Sequence, residues 1–180
     1  MDGALVPGAV RTETPEERLE RWMNVYGDAV LHTCFVCLSD VHLAEDAMQD
    51  TFVKAWKAMG RLENKYDYSE KAWLLRIAIN TCNDYRRGMW FRRITLPGAL
   101  DNLPPALIAV SPKERETFLV VLSLSPKYRQ VIQLHYYENM NLREMSAILG
   151  LSVSSVHHRL KKAEETLRRE LEGGNFHETK

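Results

Sequence analysis

The side chains with the most reactive chemistry in this chain are a pair of thiols. Cys34 and Cys37 bracket Phe-Val in the spacing used by dithiol redox sites and by half of a zinc site. A dithiol site needs a strand and a βαβ surround, and no segment here reads as a strand. A zinc site needs four ligands. The nearest candidates are His32, which falls off the helical face shared by the two cysteines, and His42, which lies beyond a break in the helix. The pair reads instead as two small apolar side chains packed one turn apart. Glu45, Asp46 and Asp50 are the next candidates, as acid and base, but their spacing gathers them on one side of a helix, the pattern of a solvated or docking face. With no hydrolase elbow, phosphate-cradling glycine loop or HExxH motif in the sequence, no catalytic residue, cofactor or metal is expected.

Hydrogen-bond donors are the stronger signal. From Val153 onward Val153, Val156, Leu160, Ala163, Leu167 and Leu171 recur at helical spacing. The opposite side carries Ser154, His158, Lys161, Lys162 and Arg169, flanked by Ser155, His157 and Arg159, with no acid before Glu164. Ser152 suits the N-cap of this helix. A preceding helix from Leu142, packed through Leu142, Met145, Ile148 and Leu149, ends at Gly150, which takes the left-handed C′ conformation without steric cost. A helix apolar behind and donor-rich in front, presented by a short turn, suits a reader of the DNA major groove. A second nucleic-acid signal lies in residues 61–93. There Tyr66, Tyr68, Trp90 and Phe91 are interleaved with Arg, Lys and Asn, a composition suited to stacking unpaired bases while cations follow phosphates. Trp73 and Tyr85 are assigned to the core.

Helices must position all of these. Thr14-Pro15-Glu16-Glu17 is a capping box with proline at the first helical position. The helix it starts has Leu19, Trp22, Met23, Tyr26, Val30, Cys34 and Cys37 as its buried stripe. Ser39-Asp40 opens a second helix over about 41–60, with Ala44, Met48, Phe52, Ala55 and Met59 inward and Glu45, Asp46, Gln49 and Asp50 outward. A third, over about 70–88, turns Leu74, Ile77, Ala78, Thr81 and Tyr85 inward. Residues 94–110, rich in proline and glycine without a clear period, read as a linker. Ser111-Pro112-Lys113-Glu114 and Ser125-Pro126 open two further helices before the helical hairpin. The expected fold is all-α: a domain over 14–93, a linker over 94–110 and a four-helix domain with a helix-turn-helix over 111–172.

The formal net charge is zero, but it is unevenly spread. Residues 1–60 hold ten acids against five Lys and Arg, whereas residues 61–98 hold eight Lys and Arg against four acids. Such asymmetry implies different partners for the two parts. The chain contains no spanning run of about 18 apolar residues and no basic, apolar leader. Its three cysteines form no disulfide framework, and a reducing cytoplasm is the expected location.

Three segments resemble the extracytoplasmic-function (ECF) sigma factors of the sigma-70 family of RNA polymerase sigma factors. The first is Ala44-Glu45-Asp46-Ala47-Met48-Gln49-Asp50-Thr51-Phe52 with Ala55-Trp56. The second is Trp73-Leu74-Leu75-Arg76-Ile77-Ala78-Ile79-Asn80 with Asp84-Tyr85-Arg86-Arg87. The third runs from Glu144-Met145 through Leu149-Gly150 and Ser155-Val156 to Arg159-Leu160 and Ala163. The resemblance covers roughly residues 19–171. It implies an alternative sigma factor that binds core RNA polymerase and directs promoter-specific initiation. Asp46, Gln49 and Asp50 would dock on the clamp helices of the largest polymerase subunit. Asn64, Lys65, Tyr66, Tyr68, Arg76, Asn80, Asn83 and Arg87 would contact the melted minus-ten element, a flipped base being held at the 63–68 loop. Ser154, Ser155, His157, His158, Arg159, Lys161 and Lys162 would read the minus-thirty-five element. An anti-sigma factor, which in this family can hold its target at the membrane, would keep the protein inactive.

Two positions depart from the family pattern. Ser146 replaces a preferred alanine, and His157-His158 replaces a basic-plus-small pair, which affects the promoter sequence expected. Because histidine ordinarily titrates near pH ~6.5, upstream binding is expected to strengthen as pH falls from about 8 to 6. The competing reading is a helix-turn-helix activator with an N-terminal sensing or interaction domain, which has no need of the acidic docking helix.

Overall fold

The computed structural model describes residues 13–60, 69–92 and 112–172. The expected linker, the capping residue Ser111 and the 61–68 loop lie outside the described residues. Seven α-helices are described: α1 Pro15–Leu38, α2 Val41–Ala58, α3 Glu70–Arg92, α4 Pro112–Ser123, α5 Pro126–Ile132, α6 Leu142–Leu149 and α7 Val153–Glu172. A π-helical turn, Gln133–Tyr137, extends α5. No strand occurs among the described residues, and no described helix is long and apolar enough to cross a membrane.

Local sequence explains the helix ends. Thr14 Oγ1 accepts from the Glu17 backbone N–H at 3.2 Å, and a Glu17 carboxylate oxygen accepts from the Thr14 N–H at 2.9 Å, completing the capping box. Asp40 caps α2 by accepting from the Leu43 N–H at 2.8 Å. Between them Ser39 adopts φ 55°, so one residue reverses the chain from α1 into α2.

α1, α2 and α3 pack on one another. Their core holds Trp22, Phe35, Leu74, Leu75 and Ile79, each at most 2 % exposed. Burial of one such side chain contributes roughly 1.5–3 kcal/mol. Trp22 and Trp73 meet with ring centroids 5.4 Å apart. The start of α3 is tied back to α1 by Arg21, whose guanidinium donates to Glu70 at 2.7 and 3.0 Å and to Glu13 at 2.7 and 3.0 Å. These bonds, with a further one from Arg18, hold the Glu13 carboxyl down to about 2, and Arg21 lowers Glu70 as well.

The C-terminal helices form a second core around Val131, Leu134, Met145, Ile148, Val156, Leu160 and Ala163. The cores are continuous, because α6 packs on α3 and α5 on α1. With α1, α2 and α6 all packed on it, α3 departs from the single inward stripe expected for it. The stripe at Leu74, Ala78 and Thr81 is buried, but so is a second at Ala72, Leu75, Ile79 and Cys82. A helix with neighbours on two sides buries two stripes, and one-faced periodicity cannot reveal the second. Ile77 and Tyr85, expected inward, are half-buried. Three other assignments also change: Met23 is 52 % exposed, Val153 43 % and Leu171 41 %. The two on α7 sit at its ends, and Met23 borders the surface groove described below.

Candidate nucleic-acid interface

The turn that presents α7 is built as its residues require. Asn141 caps α6, accepting from the Arg143 and Glu144 N–H groups at 2.9 and 3.1 Å, and Glu144 returns the bond to the Asn141 N–H at 2.9 Å. Gly150 ends α6 at φ 65°, where a side chain would strain the backbone. The Ser146 hydroxyl donates to the Leu151 carbonyl, bracing the turn from inside. The Ser146 hydroxyl therefore has a structural role. Ser152 Oγ accepts from the Ser155 N–H at 3.2 Å, as expected of an N-cap.

On α7 itself Val156, Leu160 and Ala163 are buried, while Ser154, Ser155, His157, His158, Lys161 and Lys162 are exposed and Arg159 is half-exposed. The donor face is thus fully presented, and no acid occurs in its first turn. Such a face can donate to base edges and phosphates. Glu164, where the acids resume, accepts from the Tyr136 hydroxyl at 2.7 Å.

The residues expected at the minus-ten element separate. Asn64, Lys65, Tyr66 and Tyr68 lie outside the described residues. On α3, Asn80 and Arg87 are exposed and Arg76 is half-buried. Arg87 pairs with Asp84, which also meets Lys54 at 3.4 Å. These cations, Arg87 foremost, keep the Asp84 carboxyl below the usual range. Asn83 is half-buried, its Oδ1 accepting from Gln130 Nε2 of α5 at 3.4 Å.

Asp46, Gln49 and Asp50 are exposed together on α2. Asp50 also accepts from the Tyr85 hydroxyl at 2.8 Å. Burial and this carboxylate push the Tyr85 phenol up to about 12, so it remains a donor at neutral pH and Asp50 is held in place. Beside the acidic face runs a groove of about 370 Å³, lined by Leu19, Met23, Met48, Phe52, Val53 and Trp56 and bordered by Gln49. The sequence reading missed it by assigning Met23 to the core. Val53 and Trp56, one and two turns beyond Gln49 on the side of the acidic face, were the signal available.

Cys34 and Cys37 are buried, as packing residues should be, and Cys82 joins them. Contact between neighbouring thiols, with burial, raises Cys37 and Cys82 above the ordinary thiol value, which disfavours the reactive thiolate. Among the described residues no group of His, Cys, Asp and Glu side chains could hold a metal.

Comparison with known proteins agrees with this geometry. The Sigma-70 region 2 model matches residues 22–92, and the Sigma-70 region 4 model matches residues 115–167. The ECF RNA polymerase sigma factor SigM of Bacillus subtilis is 30 % identical over 81 % of this chain and 90 % of its own. SigW of the same organism is 29 % identical over 83 % and 86 %. Among solved structures, CnrH in complex with the cytosolic domain of CnrY superposes with TM-score 0.63 at 25 % identity, covering 88 % of this chain and 90 % of that one. The sigma factor RpoE bound to the anti-sigma factor NepR of Bartonella quintana shares the fold, with TM-score 0.74 at 21 % identity over 88 % of this chain and 99 % of that one. An N-terminal unit with an acidic helix, a C-terminal unit presenting a helix whose first half is donor-rich and free of acids, and relatives matched over 86 and 90 % of their own length leave one assignment: the chain belongs to the ECF sigma factors of the sigma-70 family and is an alternative RNA polymerase sigma factor directing transcription initiation.

Proposed function

We propose that the chain divides this task between a unit over residues 14–93 and one over 111–172, joined by the segment 94–110. The first docks on the clamp helices of core RNA polymerase through Asp46, Gln49 and Asp50. The apolar groove beside Gln49 gives a partner helix a greasy seat next to the acidic one, so cationic and apolar side chains of one amphipathic helix are both accommodated. The same unit binds the melted minus-ten strand through Asn64, Lys65, Tyr66, Tyr68, Arg76, Asn80, Asn83 and Arg87. Base capture is a binding trade: stacking and hydrogen bonds in a protein pocket offset a few kcal/mol of lost pairing and stacking.

The second unit lays α7 in the major groove of the minus-thirty-five element. Ser154, Ser155, His157, His158 and Arg159 lie toward base edges, and Lys161 and Lys162 toward phosphates. The protein acts in the cytoplasm as a binding subunit, and covalent chemistry belongs to the polymerase. An anti-sigma factor, the kind of partner bound by the related RpoE, restrains it by covering the groove and the acidic face.

The observation that carries this reading is the exposed, acid-free donor face at the start of α7. Run-off transcription with core polymerase on a promoter library tests it. Sequence-selective initiation is the expected result, and its absence across a broad template set overturns the reading. Changing Asp46, Gln49 and Asp50 together to alanine is expected to weaken core capture by about a hundredfold. Undiminished capture would remove those residues from the docking surface.

A further inference from the structure

The acidic face of α2 is held from across its seam with α3. Asp50 meets Tyr85, and Lys54, one turn further along α2, meets Thr81, one turn back along α3. The Tyr85 side chain packs against the buried core, so the hydroxyl that donates to Asp50 at 2.8 Å comes from a fixed position. α3 is a firm frame for it, since its first turn is tied to Arg21 through Glu70 and to Glu138 through Lys71 at 2.8 Å. Asp50 itself stands in solvent, where an unheld aspartate exchanges rotamers rapidly. A hydrogen bond to an ionised acceptor is one of the stronger ties available at a surface.

On a bare helix Lys54 would be the natural partner of Asp50, because opposite charges at i and i+4 attract. Its ammonium turns to α3 instead, donating to the buried Thr81 hydroxyl at 3.1 Å and meeting the Asp84 carboxylate at 3.4 Å. The charge of Asp50 is therefore left uncancelled by its own helix. Tyr85 occupies Oδ2 of that carboxylate, and Oδ1 remains to accept from an incoming cation.

We propose that Tyr85 is a positioning residue for polymerase docking: it fixes the Asp50 carboxylate in one orientation, while Thr81 and Asp84 draw away the lysine that would neutralise it. The proposal rests on the docking reading of Asp46, Gln49 and Asp50. The docking face is then made by two helices, α2 carrying the charge and α3 setting its direction. The three α3 residues act through α2 and not on the partner itself. Binding normally orders side chains at a cost, and a carboxylate already held in place avoids part of it.

The test measures the affinity of the fluorophore-labelled full chain for core polymerase, without DNA, and thermal melting checks that each variant is folded. Tyr85→Phe keeps the ring and loses the hydroxyl, and is expected to weaken binding by about fivefold. Asp50→Ala is expected to weaken it by about tenfold. Adding Tyr85→Phe to Asp50→Ala should bring no further loss, because the hydroxyl then has nothing to orient. A hydroxyl with a merely structural role would weaken binding equally in both backgrounds, and that result overturns the proposal. Asp84→Ala releases Lys54 toward Asp50 and is expected to weaken binding by about twofold. That loss should vanish when Lys54 is also changed to alanine, and its persistence would overturn the part given to Lys54.

The docking reading and the positioning role fail separately. If Asp50→Ala binds core as wild type does, Asp50 leaves the docking surface and the role of Tyr85 goes with it. If Asp50→Ala binds poorly while Tyr85→Phe binds as wild type does, the docking surface stands and the positioning role alone is overturned.

Discussion

The surfaces of α7 and α3 proposed to face DNA are held in opposite ways. On α7 the side chains proposed to meet DNA are exposed, Arg159 in part, and one apolar stripe seats the helix on its neighbours. α3 buries two stripes, and of its candidate contacts Asn83 is engaged by another part of the chain and Arg87 by Asp84. The α7 face is thus largely free as it stands, whereas part of the α3 face is already engaged within the chain.

Three experiments would break or sharpen this contrast. The largest effect is expected at the second α3 stripe. Leu75→Ala should destabilise the folded chain by about 2–5 kcal/mol in denaturant unfolding. A loss under 1 kcal/mol would mean that α3 is not buried on two sides.

The second concerns acid. Arg21 depresses the carboxyl groups of Glu13 and Glu70 in the folded chain. A depressed carboxylate stabilises the fold above its unfolded pKa and loses that contribution as pH falls through the folded one. Melting temperature is therefore expected to fall from about pH 4.5 toward 2, with a shallower slope in Arg21→Ala. Identical slopes would detach this end of α3 from α1.

The smallest stability effect is expected on α7. Lys161→Ala with Lys162→Ala should move stability by no more than about 0.5 kcal/mol. It should nevertheless lower the salt dependence of duplex binding by about 0.9 log unit per lost phosphate contact. An unchanged slope would place those lysines away from phosphates.

The sequence announced α7 more completely than α3, for a physical reason. Ser152, Gly150 and the stripe Val156, Leu160 and Ala163 express local rules, and the structure follows them. The second stripe of α3 depends on packing against helices distant in sequence, which leaves no mark on local periodicity. Met23 fits its helical stripe, yet it lines a groove because α2 leaves that part of α1 uncovered. Lys71 and Glu138 are unremarkable in sequence, and only the fold makes them partners. The acidic α2 face was legible because charges at i and i+4 share a side, although the Tyr85 bond to Asp50 was not.

Glu70 and Lys71 are adjacent, yet they are tied in different directions: Glu70 to Arg21 near the chain's beginning, and Lys71 to Glu138 far along it. The first turn of α3 is thus moored at two points far apart in the chain, one on α1 and one beyond α5. Loss of either tie leaves the other to fix where α3 begins, so a single substitution at Arg21 or Glu138 should shift this helix start less than removal of both.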